Sequence, residues 1–176
     1  MPRARDRARR RLFIGLLPDD EVRVAIAEHQ RRWYWSAGCF PTRPERLHLT
    51  LHFLGEIDAT REHPLRSTLA GEDIAPFELA LRTPESWAGG IAVLRPDESV
   101  ALQDVHTRLA TRLSRVGIAS MRGSFVPHVT LARGAVSAAP LEATRPVIWT
   151  VTDFALVWSR PGPPARYEAL GRYGDT

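Results

Sequence analysis

Two short stretches of this chain place a histidine and a threonine two residues apart. The first, residues 47–55, reads Leu-His-Leu-Thr-Leu-His-Phe-Leu-Gly, and the second, residues 127–133, reads Pro-His-Val-Thr-Leu-Ala-Arg. Imidazole has an unperturbed pKa of about 6.5, so a pair of histidines suits proton donation and removal near neutrality. A threonine hydroxyl beside each ring can donate a hydrogen bond to an anionic oxygen. The two stretches therefore predict acid and base chemistry on a small tetrahedral anion, and phosphate fits best.

Strict alternation along the first stretch predicts a strand with one apolar and one polar face. The predicted core face carries Leu47, Leu49, Leu51 and Phe53, and the predicted polar face carries His48, Thr50 and His52. In the second stretch Val129 and Leu131 are expected to point away from the polar side chains. We therefore expect two strands, one histidine each, facing one cleft.

The remaining elements must position these two strands. The pattern of apolar residues, turn residues and helix caps predicts alternating strands and helices in two similar halves. The predicted strands are 11–17, 77–81, 91–94, a long strand 147–158 and a returning strand 166–173, and the predicted helices run from Pro18-Asp19 to near Trp35, over 60–70, and from Asp97 or Glu98 to Gly117. With 176 residues, we expect one domain at 11–176 that follows a basic flexible tail at 1–10.

The charge is concentrated at the N-terminus. Residues 1–11 contain six Arg and one Asp, which leaves 18 Arg against 19 acidic residues in the rest of the chain. The high pI therefore does not indicate a nucleic-acid-binding surface on the folded body, and a solvated end is the expectation for the tail. A single cysteine, Cys39, excludes an internal disulfide. Because no apolar run reaches about 18 residues, we expect no membrane association and a cytoplasmic location.

The two stretches, at 48–55 and 127–133, resemble the paired motifs of the two-histidine (2H) phosphoesterases. Within that superfamily the chain is similar to the LigT-like RNA 2',3'-cyclic phosphodiesterases, also called 2'-5' RNA ligases. The resemblance extends from the opening strand, Arg-Leu-Phe-Ile-Gly-Leu-Leu-Pro, to the closing strand around Tyr167. It implies an α+β fold, bilobal, with two pseudo-symmetric antiparallel-sheet lobes, helices outside and a central cleft.

The resemblance also implies a reaction and its residues. A terminal RNA 2',3'-cyclic phosphate would be opened to a 2'-phosphomonoester, with no metal and no cofactor. His48 matches the proton donor to the departing 3' oxygen, and His128 matches the base that activates water. Thr50 and Thr130 match the hydroxyls that hold the phosphate. The implied partner is RNA with a cyclic phosphate end, tRNA fragments among the candidates, and we expect a monomer.

Three further residues are predicted to bind substrate, each with an open question. Arg133 ends the second motif, where it can contact phosphate or a base, yet strict alternation places it opposite His128. Phe13 either stacks on a terminal base or belongs to the core. His52 is predicted at the cleft rim, about 13 Å along the strand from His48. Residues 87–94 lack the aromatic-rich strand that the resemblance implies, so base selectivity is left open.

Three alternative functions are weighed against this prediction. A metal enzyme would use His48 and His52 as ligands, but the two rings of a strand at that spacing are too far apart for one ion. A binding protein could hold RNA ends without turnover. An enzyme of the same superfamily could act on 2'-5' linkages or small cyclic nucleotides, because the motifs handle phosphate and not the base.

Overall fold

The structure is a computed structural model and describes residues 9–120, 123–141 and 144–174. Its elements are, in chain order, β1 (Arg9–Leu16), α1 (Asp20–Arg31), β2 (Trp33–Tyr34), β3 (Phe40–Pro41), a 3₁₀ turn (Pro44–Arg46), β4 (Leu49–Asp58), α2 (Ala59–Ala70), β5 (Phe77–Trp87), β6 (Ile91–Pro96), α3 (Val100–Arg115), β7 (Val129–Arg133), β8 (Ala139–Pro140), β9 (Val147–Val151), β10 (Asp153–Arg160) and β11 (Arg166–Gly174). None of the helices in these ranges is both long and apolar enough to cross a membrane.

Side-chain caps determine where the three helices begin. Asp19 accepts a hydrogen bond from the backbone N–H of Val22 at 2.8 Å, and Asp58 accepts one from that of Thr60 at 2.9 Å. Ser99 caps α3, so that helix begins later than the predicted Asp97 or Glu98. The predicted helices therefore exist, although α1 ends at Arg31 rather than near Trp35 because the chain turns into β2.

The strands form one antiparallel sheet in the order β11-β10-β1-β4-β7-β6-β5-β9, with β3 added beside β7 and a separate β2-β8 pair. We call β11-β10-β1-β4 the His48 lobe and β7-β6-β5-β9 the His128 lobe. They meet through one residue pair, Leu49 opposite Val129, and both side chains are fully buried. Helices α2 and α3 pack against β4, and α1 packs against β9. The predicted α+β fold with two antiparallel lobes is confirmed.

The two lobes are not the two halves of the sequence. The predicted long strand 147–158 is wrong, because it divides at Thr152 into β9, which pairs with β5, and β10, which pairs with β1. The chain thus crosses from the His128 lobe back to the His48 lobe, and the hairpin β10-β11 completes the latter. The predicted tail at 1–10 lies mostly outside the described residues, and its last two residues, Arg9 and Arg10, belong to β1.

A one-residue bulge interrupts each histidine strand at the same place in its motif. Along β1 and β4, Ile14 pairs with His52 and Gly15 with Thr50, so Leu51 has no partner. Along β6 and β7, Ala92 pairs with Ala132 and Val93 with Thr130, so Leu131 has none. An extra residue reverses the alternation of faces beyond it. The side chains directly after each bulge, which in β4 are His52 and Phe53, therefore lie on the faces opposite to those that strict alternation predicts, until a further bulge at Leu54 restores the alternation in β4.

Candidate active site

The bridge between the lobes brings the two motifs together. His48 and His128 each precede the first residue of their strand, and those residues, Leu49 and Val129, are partners. In an antiparallel ladder this register places His48 opposite Thr130 and Thr50 opposite His128. Since Leu49 and Val129 face the core, the four polar side chains share the other face. The four residues predicted to handle phosphate thus form one half-buried group.

The two histidine rings are held in the same way. The Nδ1 atom of His48 lies 2.7 Å from the carbonyl oxygen of Arg46, and that of His128 lies 2.7 Å from the carbonyl oxygen of Val126. A carbonyl oxygen only accepts, so each Nδ1 carries the proton of its hydrogen bond. This fixes the tautomer and leaves each Nε2 to exchange a proton with a ligand.

Burial and positive charge both favour the neutral imidazoles. Burial lowers the pKa of His48, with smaller contributions from the charges of His128, Arg46 and Arg133, while the hydrogen bond to the Arg46 carbonyl opposes the change. Burial likewise lowers the pKa of His128, opposed by the Val126 carbonyl and assisted by Arg133 and Arg95. An anionic ligand would counter these positive charges and so favour protonation of one ring.

Arg133 reaches the cleft because of the second bulge. Leu131 and Ala132 are consecutive buried residues, and Arg133 is therefore exposed on the side of Thr130. After burial, its positive charge is one of the smaller causes that lower the pKa of both histidines. The first bulge has the same effect on Phe53, which joins an apolar cluster with Phe13 and Tyr167. The predicted core position of Phe53 is therefore wrong.

The predicted position of His52 is also wrong. Its side chain is 1% exposed and its Nε2 donates to the backbone oxygen of His106 at 2.8 Å. The His52 ring stacks on that of His106 at 4.2 Å between centroids, and His106 stacks on Phe125 at 3.9 Å. Because the bulge at Leu51 turns His52 into the core, it presents no surface to a substrate and shares no metal ion with His48. The described residues hold no group of three or more metal-ligating side chains.

Aromatic rings surround His48. Phe13 lies 4.8 Å from the His48 ring, and Tyr167 meets it edge-on at 5.1 Å. Phe13 is 3% exposed, so it supports the histidine from within the protein and offers no face to a base, contrary to that part of its prediction. Arg46 lies over the Tyr167 ring at 4.8 Å and donates to its hydroxyl at 3.3 Å. Sequence reasoning missed Tyr167 as a site residue, because only the pairing of distant strands brings it to His48.

A cavity of about 580 Å³ borders His128. Trp87 meets the His128 ring at 4.5 Å and donates through Nε1 to Glu85 at 2.6 Å, and Arg95 donates to the other carboxylate oxygen at 2.9 Å. The remaining walls are Ser124 and Val126. The sequence missed Glu85 and Trp87 because β5 extends to Trp87, well beyond the predicted end at Leu81.

Fold and site together define a phosphoesterase of the two-histidine class. The family model for the 2'-5' RNA ligase superfamily matches residues 18–163, and the chain belongs to this superfamily. The chain is 32% identical to a Thermus thermophilus protein named RNA 2',3'-cyclic phosphodiesterase, over 87% of this chain and 83% of that one. It is 31% identical to the protein of the same name from Escherichia coli, over 94% and 97%.

Solved structures give the same result. A crystal structure of a phosphoesterase superposes with a TM-score of 0.84 at 27% identity, covering 94% of this chain and 97% of that one. Escherichia coli LigT complexed with 3'-AMP superposes with a TM-score of 0.79 at 26% identity, with the same coverage.

Proposed function

We propose that this protein hydrolyses terminal 2',3'-cyclic phosphates of RNA to 2'-phosphomonoesters, with His48 and His128 as the acid and the base. The observation that carries the proposal is the matched pair of imidazoles, each with Nδ1 bound to a backbone carbonyl and Nε2 left for the substrate. The names of the two relatives at 31% and 32% identity support RNA cyclic phosphate as the substrate.

In the proposed reaction His128 acts in its neutral form and His48 in its protonated form. Nε2 of His128 removes a proton from water as the oxygen attacks phosphorus, and the bond from phosphorus to O3' breaks. Nε2 of His48 gives its proton to O3', so the product carries a 3'-hydroxyl and a 2'-phosphate. One turnover leaves His48 neutral and His128 protonated, and exchange with solvent restores the starting forms.

The charge on phosphorus oxygens is balanced by three other side chains in this proposal. The hydroxyls of Thr50 and Thr130 donate to the non-bridging oxygens, and the Arg133 guanidinium supplies positive charge. These three residues share the cleft face with both histidines because of the register at Leu49 and the bulge at Leu131. The protein itself thus supplies every group that the proposed reaction requires, and we propose that it proceeds without metal or cofactor.

The test follows an oligoribonucleotide with a 2',3'-cyclic phosphate end in the presence of EDTA. The wild type should add one water and yield a 2'-phosphate, identified by mass and by phosphorus NMR. His48→Ala and His128→Ala should each lower kcat/KM by about a thousandfold. His63→Ala, on the exposed face of α2, is the matched control and should retain activity.

Other outcomes distinguish the alternatives. Binding of the RNA end without turnover by the wild type would contradict hydrolysis and support a binding protein. Turnover only of a 2'-5' linked dinucleotide or a small cyclic nucleotide would change the substrate but keep the two histidines. Turnover that survives both substitutions would contradict the site.

The biological setting belongs to the same proposal. We propose that the chain acts as a monomer in the cytoplasm on RNA ends such as those of tRNA fragments. Light scattering of the purified protein tests the monomer, and sequencing of RNA with cyclic phosphate ends in cells that lack the protein tests the substrate.

A further inference from the structure

The cavity beside His128 contains a fixed carboxylate that the proposed reaction does not use. Glu85 lies on β5 two residues before Trp87, so both side chains share a face of that strand. Across the β5-β6 pair, Arg95 approaches the same carboxylate. The cavity volume of about 580 Å³ lies within the range of about 300–1,000 Å³ typical of small-molecule sites. A nucleobase is the part of an RNA end that such a site beside the phosphate could hold.

The two hydrogen bonds determine what Glu85 offers to a ligand. Trp87 donates to Oε2 and Arg95 to Oε1, so the carboxylate is held from two sides. The hydrogen bond from Trp87 lowers the pKa of Glu85, and Arg95 lowers this pKa further, whereas burial raises it. The net direction is downward, so the carboxylate is ionised at neutral pH. An ionised carboxylate only accepts hydrogen bonds, and its two oxygens have about four acceptor sites. Two acceptor positions remain for a ligand that presents donors.

Among the four RNA bases, guanine complements such a carboxylate best. Its Watson–Crick edge presents two neighbouring donors, N1–H and the N2 amino group. Adenine and cytosine each present an amino group beside a ring nitrogen acceptor, and uracil presents one N–H between two carbonyl oxygens. A carboxylate opposite these acceptors is repelled. The Trp87 ring supplies aromatic surface in the same cavity, suited to contact with a base.

From these observations we infer that the cavity formed by Glu85, Trp87 and Arg95 beside His128 binds the base of the RNA terminal nucleotide and selects guanine. The inference rests on the proposed function, because it gives the substrate end a base preference at the same site. The cavity would also supply the base contacts that were left open for residues 87–94, which lack an aromatic-rich strand.

The experiment compares four oligoribonucleotides that end in a 2',3'-cyclic phosphate and differ only in the terminal base. For the wild type, kcat/KM for terminal guanine should exceed that for the other three bases by about ten- to a hundredfold, the range for hydrogen bonds to a charged group. Glu85→Gln keeps the shape of the side chain and removes the second acceptor, so the guanine preference should fall to within about threefold. Glu78→Gln, an exposed residue of the same strand, should leave it unchanged.

A second readout does not depend on turnover. Calorimetry should show that wild-type protein binds guanosine 2'-monophosphate more tightly than adenosine 2'-monophosphate, and that Glu85→Gln removes the difference. Trp87→Phe keeps the ring and loses the N–H that holds Glu85, so it should reduce the preference partly. Unfolding temperatures identify any variant that fails to fold, and Trp87→Phe then serves in place of Glu85→Gln.

The outcomes separate the two proposals. Turnover of all four ends with equal efficiency, or a guanine preference that survives Glu85→Gln, would overturn the inference and leave the proposed function in place. If Glu85→Gln raised kcat/KM equally for all four ends, the inference would also be overturned. The carboxylate would then act only by repelling the RNA phosphates that enter the cavity. No turnover of any end would contradict the proposed function, and the calorimetry would still decide the cavity.

Discussion

The surroundings of His48 and His128 start from the same device and then differ. Each ring is anchored through Nδ1 to the carbonyl two residues earlier, and each meets an aromatic ring edge-on. At His48 the neighbouring arginine, Arg46, lies on the Tyr167 ring, whereas at His128 the neighbouring Arg95 pairs with Glu85. The duplicated backbone geometry thus serves the shared proton chemistry, while the side chains around it give each lobe a separate role toward substrate.

The bulges offer the sharpest comparison between the lobes. Each turns one residue onto the sheet face that carries the two histidines, Phe53 in the His48 lobe and Arg133 in the His128 lobe. If only the charge matters for phosphate, Arg133→Ala should lower kcat/KM by about a hundredfold and Phe53→Ala by at most about tenfold. Arg133→Lys should recover part of the loss, and the effect of salt on KM should weaken in Arg133→Ala. Equal losses in both alanine variants would contradict the separate roles.

A smaller effect is expected where β1 supports His48. A Cβ atom at Gly15 would lie 2.9 Å from the Leu49 carbonyl oxygen and 3.2 Å from the Phe13 ring, which packs on His48. Gly15→Ala should therefore destabilise the fold by about 1–3 kcal/mol and lower kcat more than it raises KM. Thermal unfolding and steady-state kinetics measure both effects, and exposed Val24→Ala is the control. An unchanged kcat would contradict the prediction that the position of Phe13 on β1 controls the position of the His48 ring.

The His52, His106 and Phe125 stack joins the lobes from the core side, since Phe125 directly precedes Val126, whose carbonyl oxygen anchors His128. Burial, with a smaller effect of His52, lowers the pKa of His106 to about 4, and burial lowers that of His52. The unfolded chain therefore binds protons more readily than the folded one between pH 6.5 and about 4. Stability should be full above pH 6.5 and decrease by about 1–3 kcal/mol as the pH falls to about 4. Denaturant titrations should show a flatter profile for His106→Phe, and an identical profile would contradict this cause.

The smallest predicted effect concerns the Tyr167 hydroxyl. Tyr167→Phe keeps the ring against His48 and removes the acceptor for Arg46, so kcat/KM should fall only about two- to fivefold. Tyr167→Ala also removes the ring and should lower kcat/KM further than Tyr167→Phe does. A large loss in Tyr167→Phe, measured with the same cyclic phosphate substrate, would give the hydroxyl a direct part in the reaction.

Local sequence signals predicted the two histidine strands and the three helices. Period-two and helical patterns, together with caps such as Asp19 and Asp58, depend on neighbouring residues, and the structure agrees there. The repeated His-x-Thr spacing also predicted that His48 and His128 face one cleft. In the structure their strands pair at Leu49 and Val129. These elements account for the phosphate-handling part of the site.

What the sequence did not predict depends on pairing between distant strands. The residues around Leu51 and Leu131 alternate regularly in the sequence, so neither bulge can be predicted from it. The alternation therefore predicts the wrong face of the strand for both His52 and Phe53. Tyr167 and Glu85 reach the site only through the register of β11 and β5. Nothing in residues 147–158 marks Thr152 as the point where the chain changes lobe.

The most direct test of the central claim is the pH dependence of kcat/KM for cyclic phosphate opening. The wild type should give a bell whose optimum lies below pH 6.5, because both imidazole pKa values are lowered in the free protein. The residual activity of His128→Asn should lose the acid limb, which reports the base, and that of His48→Asn should lose the alkaline limb, which reports the acid. If both variants kept the full bell, the two lobes would not supply one acid and one base, and the account would be contradicted.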